Sequence, residues 1–143
     1  MNISTKTRYG FRLMIYLGIN EETNETIQLG EIAEKENISL KYLEKIVQIL
    51  KRGGLVSVKR GPKGGYKLAK PARSISLLEV YENLEGSASV TDCADSDECK
   101  KINGCSTASL WKGLSKVISD YLGSKTLDDI INENKDRDSM FYI

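Results

Sequence analysis

Residues 39–70 read SLKYLEKIVQILKRGGLVSVKRGPKGGYKLAK, and the spacing of the apolar positions changes partway along them. Up to Arg52 the period is helical: Leu40, Leu43, Val47 and Leu50 recur at three or four residues. Ser39 can cap the first turn, and Gly53-Gly54 stops the helix. Beyond the glycines the period becomes two. Residues 55–59 and 66–70 are strand-like runs joined by Arg60-Gly61-Pro62-Lys63-Gly64-Gly65, a turn-rich link that makes a hairpin. Immediately upstream, Leu29, Ile32 and Ala33 form a short amphipathic helix that Asn37 can terminate. Two helices with a tight polar connection read as helix-turn-helix, and a basic hairpin directly behind them reads as a wing.

The flanks extend this pattern. Tyr9, Leu13, Met14, Tyr16 and Leu17 predict a first helix over residues 4–19, followed by a polar loop to Thr26. Pro71 ends the second strand, and Ser76 with Glu79 three residues later forms a capping box for a short helix through Leu77, Val80, Tyr81 and Leu84 to Gly86. Residues 87–106 hold few large apolar side chains and predict a loop with its own staple. From Thr107 the series Leu110, Trp111, Leu114, Val117, Ile118, Tyr121 and Leu122 makes a stripe wider than a surface helix of a small domain needs. It predicts a dimerisation helix closed by Gly123, then a last helix capped by Thr126, with a polar tail from Asn132. The expected fold is mainly α with a small β-hairpin wing: a winged helix-turn-helix over residues 1–86, a cysteine loop over 87–106, and a long C-terminal dimerisation helix with a final helix over 107–143.

Composition narrows the function. The 143 residues are 40% hydrophobic and 29% charged, the balance of one globular domain, and no apolar run approaches the ~20 residues of a membrane span. No apolar signal region follows the N-terminus, so a cytoplasmic protein with no membrane partner is expected. The chain has no histidine, which removes imidazole ligands and the Ser-His-Asp and Cys-His catalytic arrangements, and no enzyme is expected. Between Lys41 and Arg73 ten basic residues face one acid, Glu44. That net +9 leaves −8 for the rest of a chain whose total is +1. Such asymmetry is the electrostatic footprint of a nucleic-acid surface, because phosphate neutralisation releases counterions.

Three groups of residues carry the chemistry. On the helix from Leu40, the side chains Lys41, Tyr42, Glu44, Lys45 and Gln48 lie off the apolar stripe and are available to a major groove. Lysine bonds guanine acceptors or phosphates, Gln pairs with adenine, and Glu accepts from the cytosine amino group. In the wing turn the glycines permit backbone angles closed to other residues and Pro62 stiffens the tip, holding Arg60 and Lys63 toward a minor groove or its phosphates. A nucleotide cradle is a poorer reading, since the spacing is neither a Walker loop nor a dinucleotide fingerprint.

The third group is Cys93, Cys99 and Cys105, each pair separated by five residues. An odd cysteine count confined to one segment is no disulfide framework, and three thiolates on one loop can converge on a metal centre. Zinc prefers closer C-x2-C knuckles, so an iron–sulfur cluster is the better match, 2Fe–2S favoured over 4Fe–4S. Unconnected thiols, or one disulfide with a spare cysteine, are the simpler alternative.

The string Leu40-Lys41-Tyr42-Leu43-Glu44, the wing from Val58 to Tyr66, the triple-cysteine loop and Leu110-Trp111 together resemble the IscR and NsrR type of iron–sulfur transcription regulators, in order along nearly the whole chain. The resemblance implies a homodimer of winged-helix subunits on a palindromic double-stranded operator. It further implies crossed C-terminal helices and one cluster per subunit near the interface. Tyr42 to Lys45 and Arg60 would contact DNA, with Glu44 discriminating between operator classes. Two departures stand out. IscR-type members carry a histidine ligand three residues after the last cysteine, where this chain has Ala108; NsrR-type members use a first-helix aspartate, where this chain has Arg8. A fourth ligand would come from Asp92, Asp95, Asp97, Glu98, Ser106, another first-helix residue or an exogenous thiol. Two rival functions remain: a family member controlled by a partner protein or by thiol oxidation without a cluster, and a small iron–sulfur electron carrier, which leaves the +9 segment unexplained.

Overall fold

Ser4 opens the first helix by accepting the Thr7 N–H at 3.2 Å, and α1 (Thr5–Ile19) follows in a computed structural model that describes residues 2–95, 99 and 101–141. The second helix, α2 (Leu29–Glu36), ends at Asn37, which adopts the left-handed conformation at φ 53°. Ser39 then accepts the Tyr42 N–H at 3.4 Å to start α3 (Leu40–Arg52). Helix α3 buries Leu43, Ile46, Val47 and Leu50. The predicted stripe is therefore shifted: Leu40, in the first turn at the edge of the core, is 45% exposed, and Ile46 completes the buried face.

The hairpin pairs β1 (Val56–Lys59) antiparallel with β2 (Gly65–Leu68) in the register Val56↔Leu68, Ser57↔Lys67, Val58↔Tyr66 and Lys59↔Gly65. A third segment joins it: Ile27 and Tyr66 exchange both backbone hydrogen bonds at 2.8 Å. Gly65 permits this approach, since a Cβ there would lie 2.6 Å from the Ile27 carbonyl oxygen.

Helix α4 (Leu77–Glu85) is capped by Ser76, which accepts the Glu79 N–H at 3.1 Å. The Glu79 carboxylate does not complete the expected box; it takes the Lys70 ammonium at 2.6 Å instead. The stretch predicted as loop contains the short α5 (Asp92–Asp95) and a 3-10 turn at Ile102–Gly104. The long helix α6 (Ala108–Ser124) is followed by α7 (Leu127–Phe141). The predicted polar tail is helical as far as Phe141. A reciprocal cap, Asp129 N–H to Thr126 Oγ1 and Thr126 N–H to Asp129 Oδ2, starts α7, and the side-chain pair of Asn132 with Asp128 supports its exposed face.

One apolar core gathers Leu13, Met14 and Leu17 of α1, Ile32 of α2, the buried face of α3, Leu55, Ile75, and Leu77, Val80 and Leu84 of α4. Leu127 and Ile131 of α7 belong to the same core, tied down by Leu77 N–H to Lys125 O and Leu127 N–H to Ile75 O, each 2.9 Å. Helix α6 contributes no buried residue. No helix among the described residues is long and apolar enough to cross a membrane.

Candidate functional site

Burial of Leu43, Ile46, Val47 and Leu50 turns the opposite face of α3 outward, and Lys41, Glu44, Lys45 and Gln48 are exposed there. Tyr42 differs from these four. It is half-buried, its ring meeting Tyr9 of α1 edge-on at 5.8 Å and 77°. The Arg12 guanidinium lies over the Tyr9 ring, 5.9 Å from its centroid, and pairs with Glu36 of α2 at 2.8 Å. These aromatic and ionic contacts lock α1, α2 and α3 around the first turn of α3, so its exposed side chains stand on a rigid base.

Arg60 and Lys63 are exposed in the wing turn, where Gly61 takes φ 110°, a conformation that side chains rarely adopt. The turn is held from outside the hairpin. Thr26 Oγ1 donates to the Lys63 carbonyl at 3.2 Å, and the Gln28 side-chain amide donates to the Gly64 carbonyl. Thr26 and Gln28 were not singled out from the sequence, where they read as the end of a polar loop; only the pairing of Ile27 with Tyr66 brings them to the wing. Of the ten basic residues from Lys41 to Arg73, only Lys70 is ion-paired among the described residues. Helix α3 and the hairpin packed against it through β1 thus carry eight exposed basic residues, Lys41, Lys45, Lys51, Arg52, Lys59, Arg60, Lys63 and Lys67.

The cysteines lie in the segment between α4 and α6, with α5 packed on α6. Cys93 is half-buried in α5, its thiol donating to Thr91 Oγ1 at 3.3 Å; Cys99 is half-buried; Cys105 is exposed just before α6, its sulfur 3.4 Å from Thr107 Oγ1. Hydrogen bonding from the Thr107 side chain, then from the Thr107 and Ala108 backbone, lowers the Cys105 thiol below its ordinary pKa. Among the described residues no three Cys, Asp or Glu side chains are gathered closely enough to hold a metal. Asp97, Glu98 and the Asp95 side chain, named as oxygen donors, lie outside the described residues. Arg8, at the first-helix position where NsrR-type members carry an aspartate, is exposed and donates to Thr5 Oγ1 at 3.2 Å. The chemistry of the donor set, three thiols on one short loop, fits an iron–sulfur group.

The loop is fastened to α6, where the Val90 N–H donates to Ser115 Oγ at 3.0 Å. Along α6, Leu110, Leu114, Val117 and Tyr121, spaced four, three and four apart, are 36–64% exposed. This seam borders an apolar groove of about 810 Å³ lined by Ile3, Phe11, Tyr81, Val117 and Ile118 among others.

The arrangement of a basic winged helix, a cysteine loop and an unpartnered helix agrees with a match of residues 3–133 to Rrf2, described as iron-dependent transcriptional regulators. The chain belongs to the Rrf2 family. It is a DNA-binding transcription regulator, not an enzyme. An HTH-type transcriptional regulator of Neisseria meningitidis is 40% identical over 138 residues, 96% of this chain and 93% of that protein. Among solved Rrf2 relatives, CymR, the global cysteine regulator of B. subtilis, superposes with a TM-score of 0.78 at 32% identity, covering 93% of this chain and 98% of CymR. IscR of T. potens gives 0.77 at 31% identity, covering 94% and 88%. The mainly α fold with a β wing expected from the sequence is the fold these Rrf2 structures share.

Proposed function

We propose that the protein is a cytoplasmic homodimer that binds a palindromic double-stranded operator and adjusts its affinity through an iron–sulfur cluster on Cys93, Cys99 and Cys105. In this reading residues 1–86 are the reading head, 87–106 the cluster loop, and 107–143 the helices that make the dimer and anchor back into the head. The observation that carries it is the set of eight exposed basic residues on α3 and the hairpin packed against it, none of them ion-paired among the described residues. Lys41, Lys45 and Gln48, with Tyr42 at their edge, enter the major groove, and Glu44 accepts only from the right base. Arg60 and Lys63 meet the adjacent minor groove and its phosphates.

A second copy covers the α6 seam, since four apolar side chains at coiled-coil spacing are left 36–64% exposed among the described residues. When bound, an iron–sulfur cluster supplies a centre sensitive to oxidation and to competing ligands. The protein's part is transmission. The loop is bonded to α6 through Val90 and Ser115, α6 packs on α4, and α4 packs on α3, so a change in the loop alters how the dimer holds its two reading heads.

Anaerobic purification, visible absorption, and iron and sulfide analysis test this directly. Wild type should be coloured and bind iron, and Ala at Cys93, Cys99 or Cys105 should each lose it. In parallel, Arg60→Ala should weaken binding to many sequences, whereas Glu44→Ala should relax base choice by about 1–3 kcal/mol at one position.

One observation favours a second reading, thiol oxidation without a cluster: Cys105 is exposed and its pKa is lowered. A colourless, iron-free protein whose DNA affinity responds reversibly to oxidant and reductant would decide for it.

A further inference from the structure

The wing has a second charged face that the groove-reading residues leave unused. In the register Ser57↔Lys67 and Lys59↔Gly65, Lys59 and Lys67 project from the same side of the hairpin, opposite to the buried pair Val56 and Leu68. With Lys63 they line an open polar cleft of about 500 Å³ whose other wall is Asn24, Glu25 and Thr26. All three lysines are exposed, and none has an ion pair among the described residues. Glu25 is the one acid of the lining, which leaves the cleft at +2. The wall is fixed, because Thr26 holds the Lys63 carbonyl and Ile27 pairs with Tyr66.

The chemistry selects the kind of ligand. A small anion needs converging donors, and here the Gly64 and Tyr66 N–H groups are already committed to Gly61 O at 2.9 Å and Ile27 O at 2.8 Å. What remains is a row of ammonium groups on flexible stems. Lys59 and Lys67 stand diagonally across the strands, ~7–8 Å apart at the backbone, while a DNA strand presents a phosphate about every 3.4 Å of its axis. A row of this length matches a repeating polyanion, to which each lysine adds affinity by releasing a counterion.

We propose that the cleft between the wing and Asn24–Thr26 tracks the phosphate backbone of DNA beyond the base-read half-site, through Lys59 and Lys67 next to Lys63. The protein then grips more DNA than it reads. This rests on the reading of the wing as DNA-facing, and the test separates the two.

A duplex that wild type selects from a randomised pool is synthesised in two forms, trimmed flush with the selected bases and extended on one side by about one helical turn, ~10 bp. Binding is titrated across a range of salt concentrations. Wild type should bind the extended form more tightly at low salt, with a log K against log salt slope steeper by about 1.8 than on the trimmed form, ~0.9 for each of two phosphates. Lys59→Gln/Lys67→Gln should bind both forms with one slope and the wild-type base preference, and Lys59→Arg/Lys67→Arg should restore the difference. Equal wild-type slopes on the two forms, or a difference that survives in the Gln variant, would overturn the proposal. Failure of wild type to select any sequence would remove the DNA-facing reading, and this inference with it.

Discussion

Helices α3 and α6 show how differently two parts of one small protein are held. Helix α3, with 13 residues, buries four of them; α6, with 17 residues and a wider apolar stripe, buries none. The apolar content of a helix therefore does not tell how much of it the chain covers. Helix α3 has α1, α2 and α4 around it, while α6 rests on α4 and α5 along one side and leaves Leu110, Leu114, Val117 and Tyr121 to solvent. The core around α3 closes within one chain, whereas α6 keeps an apolar stripe exposed, the stripe that the proposed dimer would cover.

The largest effect should come from inside the head. Leu50 is fully buried, so Leu50→Ala should cost about 2–5 kcal/mol in denaturant unfolding, the lost transfer energy plus the cavity. A cost below ~1 kcal/mol would mean that the head is as loosely held as α6, and the contrast would disappear.

The second test addresses α6. Leu114→Asp together with Val117→Asp should weaken self-association at least ~100-fold, about 2.8 kcal/mol, as read by sedimentation, while circular dichroism shows a folded monomer. A dimer of undiminished strength would move the interface off α6. A variant that unfolds would show that α6 supports the head more than its exposure implies.

The smallest effect probes the joint between the two parts. At the end of α4, one residue before Gly86 leads into the cysteine loop, the Glu85 carboxylate accepts from Ser4 Oγ and from Thr7 Oγ1 at 2.5 Å. The Ser4 hydroxyl first and then that of Thr7 hold the Glu85 carboxyl below its ordinary 4.5. Its contribution is therefore present above that ordinary value and is lost as pH falls through the lower folded value. Glu85→Gln should lower stability by about 0.5–1 kcal/mol near neutral pH, a modest figure because the carboxylate is exposed, with the difference from wild type closing in thermal melts as pH falls below the ordinary 4.5. A pH-independent difference would show that the carboxylate charge is not what joins α1 to α4.

The sequence by itself determined the elements whose signals are local. Ser4, Ser39, Ser76 and Thr126 each bond a backbone N–H three residues ahead, and Asn37 takes the left-handed conformation that ends α2. The change of period at Gly53-Gly54 separates helix from hairpin, and the excess of positive charge between Lys41 and Arg73 is legible by counting. These are properties of a few consecutive residues and survive without knowledge of the rest. Only the tertiary structure decided that Leu127 and Ile131 close the core of the reading head, that Ile46 replaces Leu40 on the buried face, and that Thr26 and Gln28 hold the wing turn. Each of those depends on a contact between segments distant in the chain. Periodicity reports which face of an element is apolar, but not which partner, in this chain or in a second copy, comes to cover it.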